Sequence, residues 1–424
     1  MQADITELET KAREAKAASR KLANTSSDIK NKALLTMASD LIKRKEEILA
    51  ANKQDCDTAK DSGMDAAMLD RLLLNDDRIA GIASDVRSVA ALPDPIGEMI
   101  EMRTLPNGLL LGRKRVPLGV IATIYESRPN VTIDISTLCL KSGNAIILRG
   151  GKEAFHSNMT LVKIARDACY GSGIPAGAIQ FIESRERSLI SHVLTMKNVI
   201  DLVIPRGGAE LVNMVRENAT MPVLAGGVGV CHTYVDSEAN LDWATAIVYN
   251  AKVQRPTVCN ALDCIIVHKD IAARYLPMMA RELNKAGVEL HCDEQSLQIL
   301  HSIASLKIKP AVDEDWGKEF LSLVAAVKVV DSLDEALEYI ERYGSGHSEA
   351  IITENYNSAM RFLNEVDAAA VYANASTRFT DGAQFGLGAE VGISTQKFHA
   401  RGPMGLRELT SYKWIVFGNG HVRP

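Results

Sequence analysis

From Val116 onward, apolar runs of strand length alternate with amphipathic runs of helix length. This rhythm limits the folds open to the chain. It predicts strands at 118–125, 145–148, 178–182, 199–204 and 230–235. Helices fall at 131–140, 157–170 and about 209–217. The pattern resumes after Cys259 with strands 264–267, 324–330 and 350–352, and with helices near 272–286 and 332–343. Strands separated by helices pair in parallel through crossover connections, so the expected class is α/β.

The flanks differ. Residues 4–62 read as helical, with Leu8, Ala12, Ala15 and Leu22 at helical spacing. Ser27 is the expected N-cap of a second helix carrying Leu34, Leu35, Met37 and Leu41. A further helical stretch over 70–92 should end at Pro93 and Pro95. Two apolar runs, 99–102 and 109–111, flank Leu105-Pro106-Asn107-Gly108. Asn-Gly between such runs predicts a β-hairpin, which would seek a partner strand for its open edge. The chain closes with Trp414-Ile415-Val416-Phe417.

A length of 424 residues suggests two or three domains. With 46% hydrophobic and 24% charged residues the composition is that of a soluble globular protein. A net charge of −5 argues against a nucleic-acid surface. The apolar stretches fall short of the ~20 residues a spanning helix needs. The opening Met1-Gln2-Ala3-Asp4 lacks a basic region leading into an apolar block, so a cytoplasmic protein is expected. Seven scattered cysteines, without a CxxC pair or zinc spacing, predict free thiols in a reducing compartment and no metal.

Five segments carry candidate chemistry. In Val253-Gln254-Arg255-Pro256-Thr257-Val258-Cys259-Asn260, proline biases Arg255 away from helix and predicts a turn. A cysteine at such a turn, near backbone N–H groups and a cation, is set up as a thiolate nucleophile. A lone cysteine is otherwise a common core filler. Two strand-to-helix junctions are glycine-rich: Arg149-Gly150-Gly151-Lys152-Glu153 and Pro205-Arg206-Gly207-Gly208. Each is either a plain tight turn or part of a nucleotide crevice with an anion site at the helix start. Neither matches the usual dinucleotide or P-loop fingerprint. In Tyr125-Glu126-Ser127-Arg128-Pro129-Asn130, Asn130 suits either an N-cap or an amide donor to an oxyanion. Arg128 is a surface charge or a contact for an anionic substrate. The fifth segment, Gly386 to Thr395 followed by His399-Ala400-Arg401-Gly402-Pro403-Met404-Gly405-Leu406, fits an active-site loop or an ordinary one.

Together these segments resemble the γ-glutamyl phosphate reductases, a branch of the aldehyde dehydrogenase superfamily. The resemblance is carried in order by Val116-Pro117-Leu118-Gly119-Val120, Tyr125 to Asn130, Gly143-Asn144-Ala145, Arg149 to Glu153 and Ile204 to Gly208. It continues through Gln254-Arg255-Pro256, Cys259-Asn260, Gly346 to Ile351, Phe385 to Thr395 and Arg401 to Leu406. It implies an aldehyde dehydrogenase-like fold with two Rossmann-like parallel-sheet domains and a β-hairpin oligomerisation flap. The expected NADPH-binding domain is 1–97 with 116–227. The expected catalytic domain is 228–402, and the expected flap is 98–115 with 403–424.

The implied reaction is NADPH-dependent reduction of L-glutamate 5-phosphate to L-glutamate 5-semialdehyde and phosphate, the second step of proline synthesis from glutamate. Cys259 falls at the superfamily's nucleophile position and Asn130 at its oxyanion position. The resemblance places Arg149, Gly150, Lys152 and Glu153 against the adenosine ribose side of NADPH, with Lys152 suited to the extra phosphate. It places Pro205, Arg206, Gly207 and Gly208 at the pyrophosphate, and Glu319 at the nicotinamide ribose. Arg128 and Arg255 are substrate candidates on charge alone, and His399 is a candidate acid by its nearness to the glycine loop.

Aldehyde-oxidising relatives carry a glutamate before a Gly-Gly ahead of the cysteine, to activate water. Met221-Pro222-Val223-Leu224-Ala225-Gly226-Gly227-Val228-Gly229 holds no carboxylate, which favours the reductase over an aldehyde-oxidising dehydrogenase. A homo-oligomer is expected. Glutamate 5-kinase would be a separate protein that makes transient contact.

Overall fold

The structure is a computed structural model that describes residues 2–423. It opens with the helices Gln2–Leu22, Ser27–Lys43 and Lys45–Asp61. The cap of the second lies one residue earlier than expected: Ser26 Oγ accepts from the Ile29 N–H, and Ser27 is already helical. The stretch expected as one helix over 70–92 is two, Ala66–Leu72 and Asp76–Ala91. Asn75 breaks it, since its side chain caps the second helix by accepting the Arg78 N–H at 2.8 Å. Short polar side chains compete with the backbone in this way, and apolar spacing does not register it.

The hairpin forms as predicted, with β1 at Met99–Thr104 and β2 at Leu110–Pro117, closed by Leu105 N–H to Leu109 O at 2.8 Å. The first parallel sheet follows: β3 (Val120–Tyr125), β4 (Ala145–Gly150), β5 (Ile179–Phe181) and β6 (Leu202–Arg206), in the order β5-β4-β3-β6. Val120, Ala122, Ile124, Ala145, Ile147 and Val203 bury one face against Leu8, Ala12 and Ala15 of the first helix. All six residues of β3 and of β4 are buried, as expected of parallel strands covered on both faces.

The second sheet comprises β7 (His232–Val235), β8 (Cys264–His268), β9 (Glu289–Cys292), β10 (Ile308–Pro310), β11 (Val324–Val330), β12 (Ser348–Ile352) and β13 (Ala370–Ala373). Their order is β10-β9-β11-β8-β7-β12-β13, and every pairing is parallel. Sequence patterning missed β9, β10 and β13, and the helices Leu241–Val253, Glu294–Leu300 and Tyr356–Glu365. Those strands are short: β10 is only Ile-Lys-Pro, and it depends on the sheet beside it rather than on its own periodicity. β14 (Ile393–Ser394) and β15 (Gly402–Pro403) make a small pair.

β16 (Thr410–Phe417) pairs antiparallel with β2, giving the order β1-β2-β16. The hairpin thus finds one partner strand in its own chain. Arg113 on β2 lies over the rings of Tyr412 and Trp414 at 4.7 and 5.7 Å. Trp414, Val416 and Phe417 stay exposed.

Backbone packing divides the chain into two units. The first holds residues up to Gly226 with Gly386–Gly392 and 403 onward; the second holds Gly227–Phe385 with Ile393–Gly402. Among the described residues, no helix is long and apolar enough to cross a membrane, and no group of three His, Cys, Asp or Glu could hold a metal.

Candidate active site

Cys259 lies in the second unit, in the turn between the helix Leu241–Val253 and β8. It is half-exposed, whereas Cys56, Cys139, Cys169, Cys231, Cys264 and Cys292 are buried. Burial pushes the Cys292 thiol up to about 11 and the Cys264 thiol up to about 12, so these are inert at neutral pH. Exposure therefore singles out the same cysteine that the turn motif does.

The turn is gripped from below. A Cβ on Gly229 would stand 2.1 Å from the Cys259 carbonyl oxygen and 2.6 Å from the Cys259 Cβ. Only glycine lets these two backbones approach. The Cys231 thiol donates to the Cys259 carbonyl at 3.3 Å. The next residue, Asn260, is buried and fully engaged. Its Nδ2 donates to the Thr380 carbonyl at 3.0 Å, its carbonyl accepts from Thr377 Oγ1 at 2.8 Å, and its Oδ1 accepts from Arg378 Nη1. Arg378 Nε also donates to Gln254 Oε1 at 3.1 Å. Arg255 is exposed between these anchors; burial first, and then the Arg255 charge, disfavour the Arg378 cation, which the Asp381 charge favours.

Behind the turn runs a buried hydrogen-bond chain: His347 Nδ1 to Ser348 Oγ at 2.9 Å, Ser348 Oγ to Thr380 Oγ1 at 2.7 Å, and Tyr372 OH to Thr380 Oγ1 at 2.8 Å. Burial lowers His347 to about 4, so its imidazole is neutral at pH 7. Asp263, pushed up to about 6 by burial, accepts the Phe320 N–H at 3.0 Å and the Cys231 N–H at 3.4 Å. Glu319 precedes Phe320, and its charge acts on both Asp263 and Cys231. Glu319 thus falls near the cysteine cluster of this unit. His399 is exposed, with its backbone in the left-handed region at φ 72°.

The remaining candidates belong to the first unit. Parallel register aligns Tyr125 with Gly150 on one side and Arg206 on the other, so the loops after β3, β4 and β6 emerge side by side. Ligands of open α/β sheets bind at such carboxyl ends. Two carboxylates shape these loops. Glu126 Oε2 accepts the Gly208 N–H at 3.1 Å and would stand 2.3 Å from a Cβ on Gly207, so the Gly-Gly turn is cut to fit Glu126. Glu153 Oε1 accepts the Ser127 N–H at 2.7 Å and Ser127 Oγ at 2.9 Å, holding Ser127 at φ 42°. Positive φ is costly for a serine and needs such support.

Lys152 is exposed at the loop surface. Arg149 is buried, donating to the Gly150 and Arg185 carbonyls, and Pro205 is buried within β6. Arg206 runs against the Gly392 backbone. The residues that can meet a dinucleotide through solvent are therefore Lys152, Gly207 and Gly208, which are exposed, while Arg149 shapes the loop from inside.

Asn130 is the first residue of the helix Asn130–Lys141, and Pro129 stands at the cap position with no side-chain cap bond. The N-cap alternative for Asn130 thus does not hold. Its Nδ2 donates instead to Asp134 Oδ2 at 2.8 Å, one helical turn on. Burial, with the Asp85 charge adding to it, pushes Asp134 up to about 7. Arg128 is half-buried.

Sequence reasoning missed Gly229, Asp134, Cys231 and Arg378. Asp134 was within reach, at i+4 from Asn130. Arg378 was not, because it lies 118 residues from the Asn260 it bonds.

This architecture has a known class. The aldehyde dehydrogenase family model matches residues 1–299 and 312–415. An engineered glycolyl-CoA reductase with bound NADP+ shares the fold at TM-score 0.71 and 17% identity, covering 96% of each chain. A γ-glutamyl phosphate reductase of Dehalococcoides mccartyi is 62% identical over 423 residues, 100% of both chains. The crystal structure of γ-glutamyl phosphate reductase from Thermotoga maritima superposes with TM-score 0.95 at 48% identity, covering 99% of this chain and 100% of that one. The chain belongs to the aldehyde dehydrogenase family and, within it, to the γ-glutamyl phosphate reductases.

Proposed function

We propose that this chain reduces L-glutamate 5-phosphate to L-glutamate 5-semialdehyde through a thioester on Cys259. The overall reaction consumes NADPH and a proton and yields phosphate and NADP+. It is an oxidoreductase step, the second in proline synthesis from glutamate. The observation that carries the reading is Cys259, the half-exposed cysteine on a turn that Gly229 and Asn260 hold rigid, in a chain 62% identical over its full length to a γ-glutamyl phosphate reductase.

The Cys259 thiolate attacks the acyl carbon, and the first tetrahedral intermediate collapses by expelling phosphate. Asn130 Nδ2 and the Cys259 backbone N–H are the proposed oxyanion donors. Asp134 Oδ2 accepts a hydrogen bond from Asn130 Nδ2 and so fixes which way the Asn130 amide faces. A bound nicotinamide cofactor supplies the hydride that converts the thioester to the aldehyde. Lys152, Gly207, Gly208 and Glu319 are the proposed contacts for it, with Lys152 favouring NADPH by its charge. The region 221–229 has no carboxylate to raise a hydrolytic water, so the thioester waits for hydride, or for phosphate in reverse.

The substrate is a small molecule. The reading includes a homo-oligomer built on the β1-β2-β16 flap, a cytoplasmic location and passing contact with glutamate 5-kinase, because acyl phosphates are labile. The test runs the reaction backwards, with glutamate 5-semialdehyde, NADP+ and varied phosphate. NADPH formation should require phosphate and vanish in Cys259→Ala. Steady turnover without phosphate would replace this reading with an aldehyde-oxidising dehydrogenase.

A further inference from the structure

We infer that Arg378, paired with Arg255, forms the subsite for the phosphoryl group that leaves Cys259's substrate. The inference rests on the acyl-phosphate reading above and names the group that recognises the leaving anion. Arg378 sits in the short helical turn Thr377–Phe379, whose start is capped by Ser376. Its guanidinium reaches across the nucleophile loop, donating from Nε to Gln254 Oε1 at 3.1 Å and from Nη1 to Asn260 Oδ1. Those two residues bracket Arg255 and Cys259 in sequence. The guanidinium therefore lies along the segment that presents the cysteine, close enough for its charge to act on Cys259 and Cys231.

Both partners are neutral amides. They orient the cation and use only part of its donor set, while the Asp381 carboxylate offsets part of its charge. Arg255 adds a second positive charge beside the first, and the two repel. Like charges held together, one half-buried and one exposed, are unfavourable until an anion arrives between them. The partial burial of Arg378 raises what that cation would gain from an anion. The matching ligand is compact, doubly charged and planar in its oxygen pairs, which suits the guanidinium fork and describes a phosphoryl group. When the thiolate adds to the acyl carbon, the C–O bond to phosphate breaks and its electron pair leaves on the phosphate oxygen. A pair of fixed cations at that end stabilises the charge as it forms.

A purely mechanical role for Arg378, tying Gln254 to Asn260, makes a different prediction, and alkylation of Cys259 separates the two. The probes are iodoacetate, an anion, and iodoacetamide, its neutral analogue, with the Cys259 peptide followed by mass. For the wild type, inorganic phosphate should slow alkylation by both reagents. In Arg378→Gln the iodoacetate rate should drop about tenfold relative to iodoacetamide, and phosphate protection should be lost. Arg378→Lys should recover part of both, since it keeps the charge and loses the fork. In the reverse reaction Arg378→Gln should raise the KM for phosphate about tenfold or more while the KM for semialdehyde stays within about twofold.

If Arg378→Gln changes both reagents equally and leaves phosphate protection intact, Arg378 is a strap and the subsite assignment is wrong. Loss of protection in Arg378→Gln with recovery in Arg378→Lys upholds it. A wild type that turns over without phosphate defeats the acyl-phosphate reading itself, a result distinct from either outcome for the variants.

Discussion

The loops of the first unit and the cysteine turn of the second are built on opposite plans. After β3, β4 and β6, the loops are joined by carboxylates from the same motifs: Glu126 to Gly208, and Glu153 to Ser127. Each carboxylate sits inside a run that reads as a motif, and its partner sits inside another. The cysteine turn draws its supports from far away: Gly229, Cys231, Thr377, Arg378 and Thr380. A surface for a cofactor tolerates local design, because backbone N–H groups do most of the binding. A nucleophile must be held to a fraction of an ångström, so it is clamped from several elements at once.

The largest effect should come from the centre of the clamp. Cys259→Ala should lower reductase activity by about 10⁴-fold or more with little change in melting temperature, since the side chain is half-exposed. Steady-state rates and a thermal melt check both. Retained activity would mean that a different nucleophile operates.

Gly229→Ala tests the support. The added methyl has backbone at 2.1 Å, with no flexible side chain to yield, so the turn must move. Activity should fall about 100-fold, because a displacement of this size misplaces the thiolate. Stability should fall by about 1–3 kcal/mol, read from urea midpoints. An unaffected variant would show that the grip of Gly229 does not matter.

On the other side of the comparison, Glu153→Gln keeps an acceptor but removes its charge. It should cost about 1 kcal/mol of stability, the excess of a charged hydrogen bond over a neutral one. It should raise the cofactor KM several-fold while leaving Cys259 alkylation unchanged. A matching loss in alkylation would mean that the two plans are less separate than their bonding patterns suggest.

A pH-dependent effect concerns Asp134. Its folded pKa of about 7 lies above its ordinary value of 3.8, so the folded protein binds that proton more tightly. The stability it contributes is complete below about 4 and is lost as pH rises through about 7. Asp134→Asn should flatten that part of the stability profile between about pH 4 and 7, measured by urea midpoints in paired buffers. An unchanged slope would place the titration elsewhere.

How much of this was legible beforehand follows the same division. The long strands β3, β4, β8 and β11 were readable because each is a run of buried aliphatic residues. So was the hairpin, from Asn107-Gly108. β9, β10 and β13 were not, since three or four mixed residues acquire strand geometry only from a neighbouring edge. The cap at Ser26 and the break at Asn75 turn on which of several polar side chains reaches a backbone N–H.

For the site, residue order alone was enough to mark Cys259 as a turn cysteine and Asn130 as the start of a helix. It also placed the glycine turns at strand ends. These are local properties, set by proline and glycine backbone preferences and by the alternation of periods. What only the tertiary structure decided is which residues stand around them. Arg378 meets Asn260 across 118 residues, and Gly229 meets Cys259 because β7 and β8 are neighbours. Such contacts depend on strand order and register, which no short window of sequence carries.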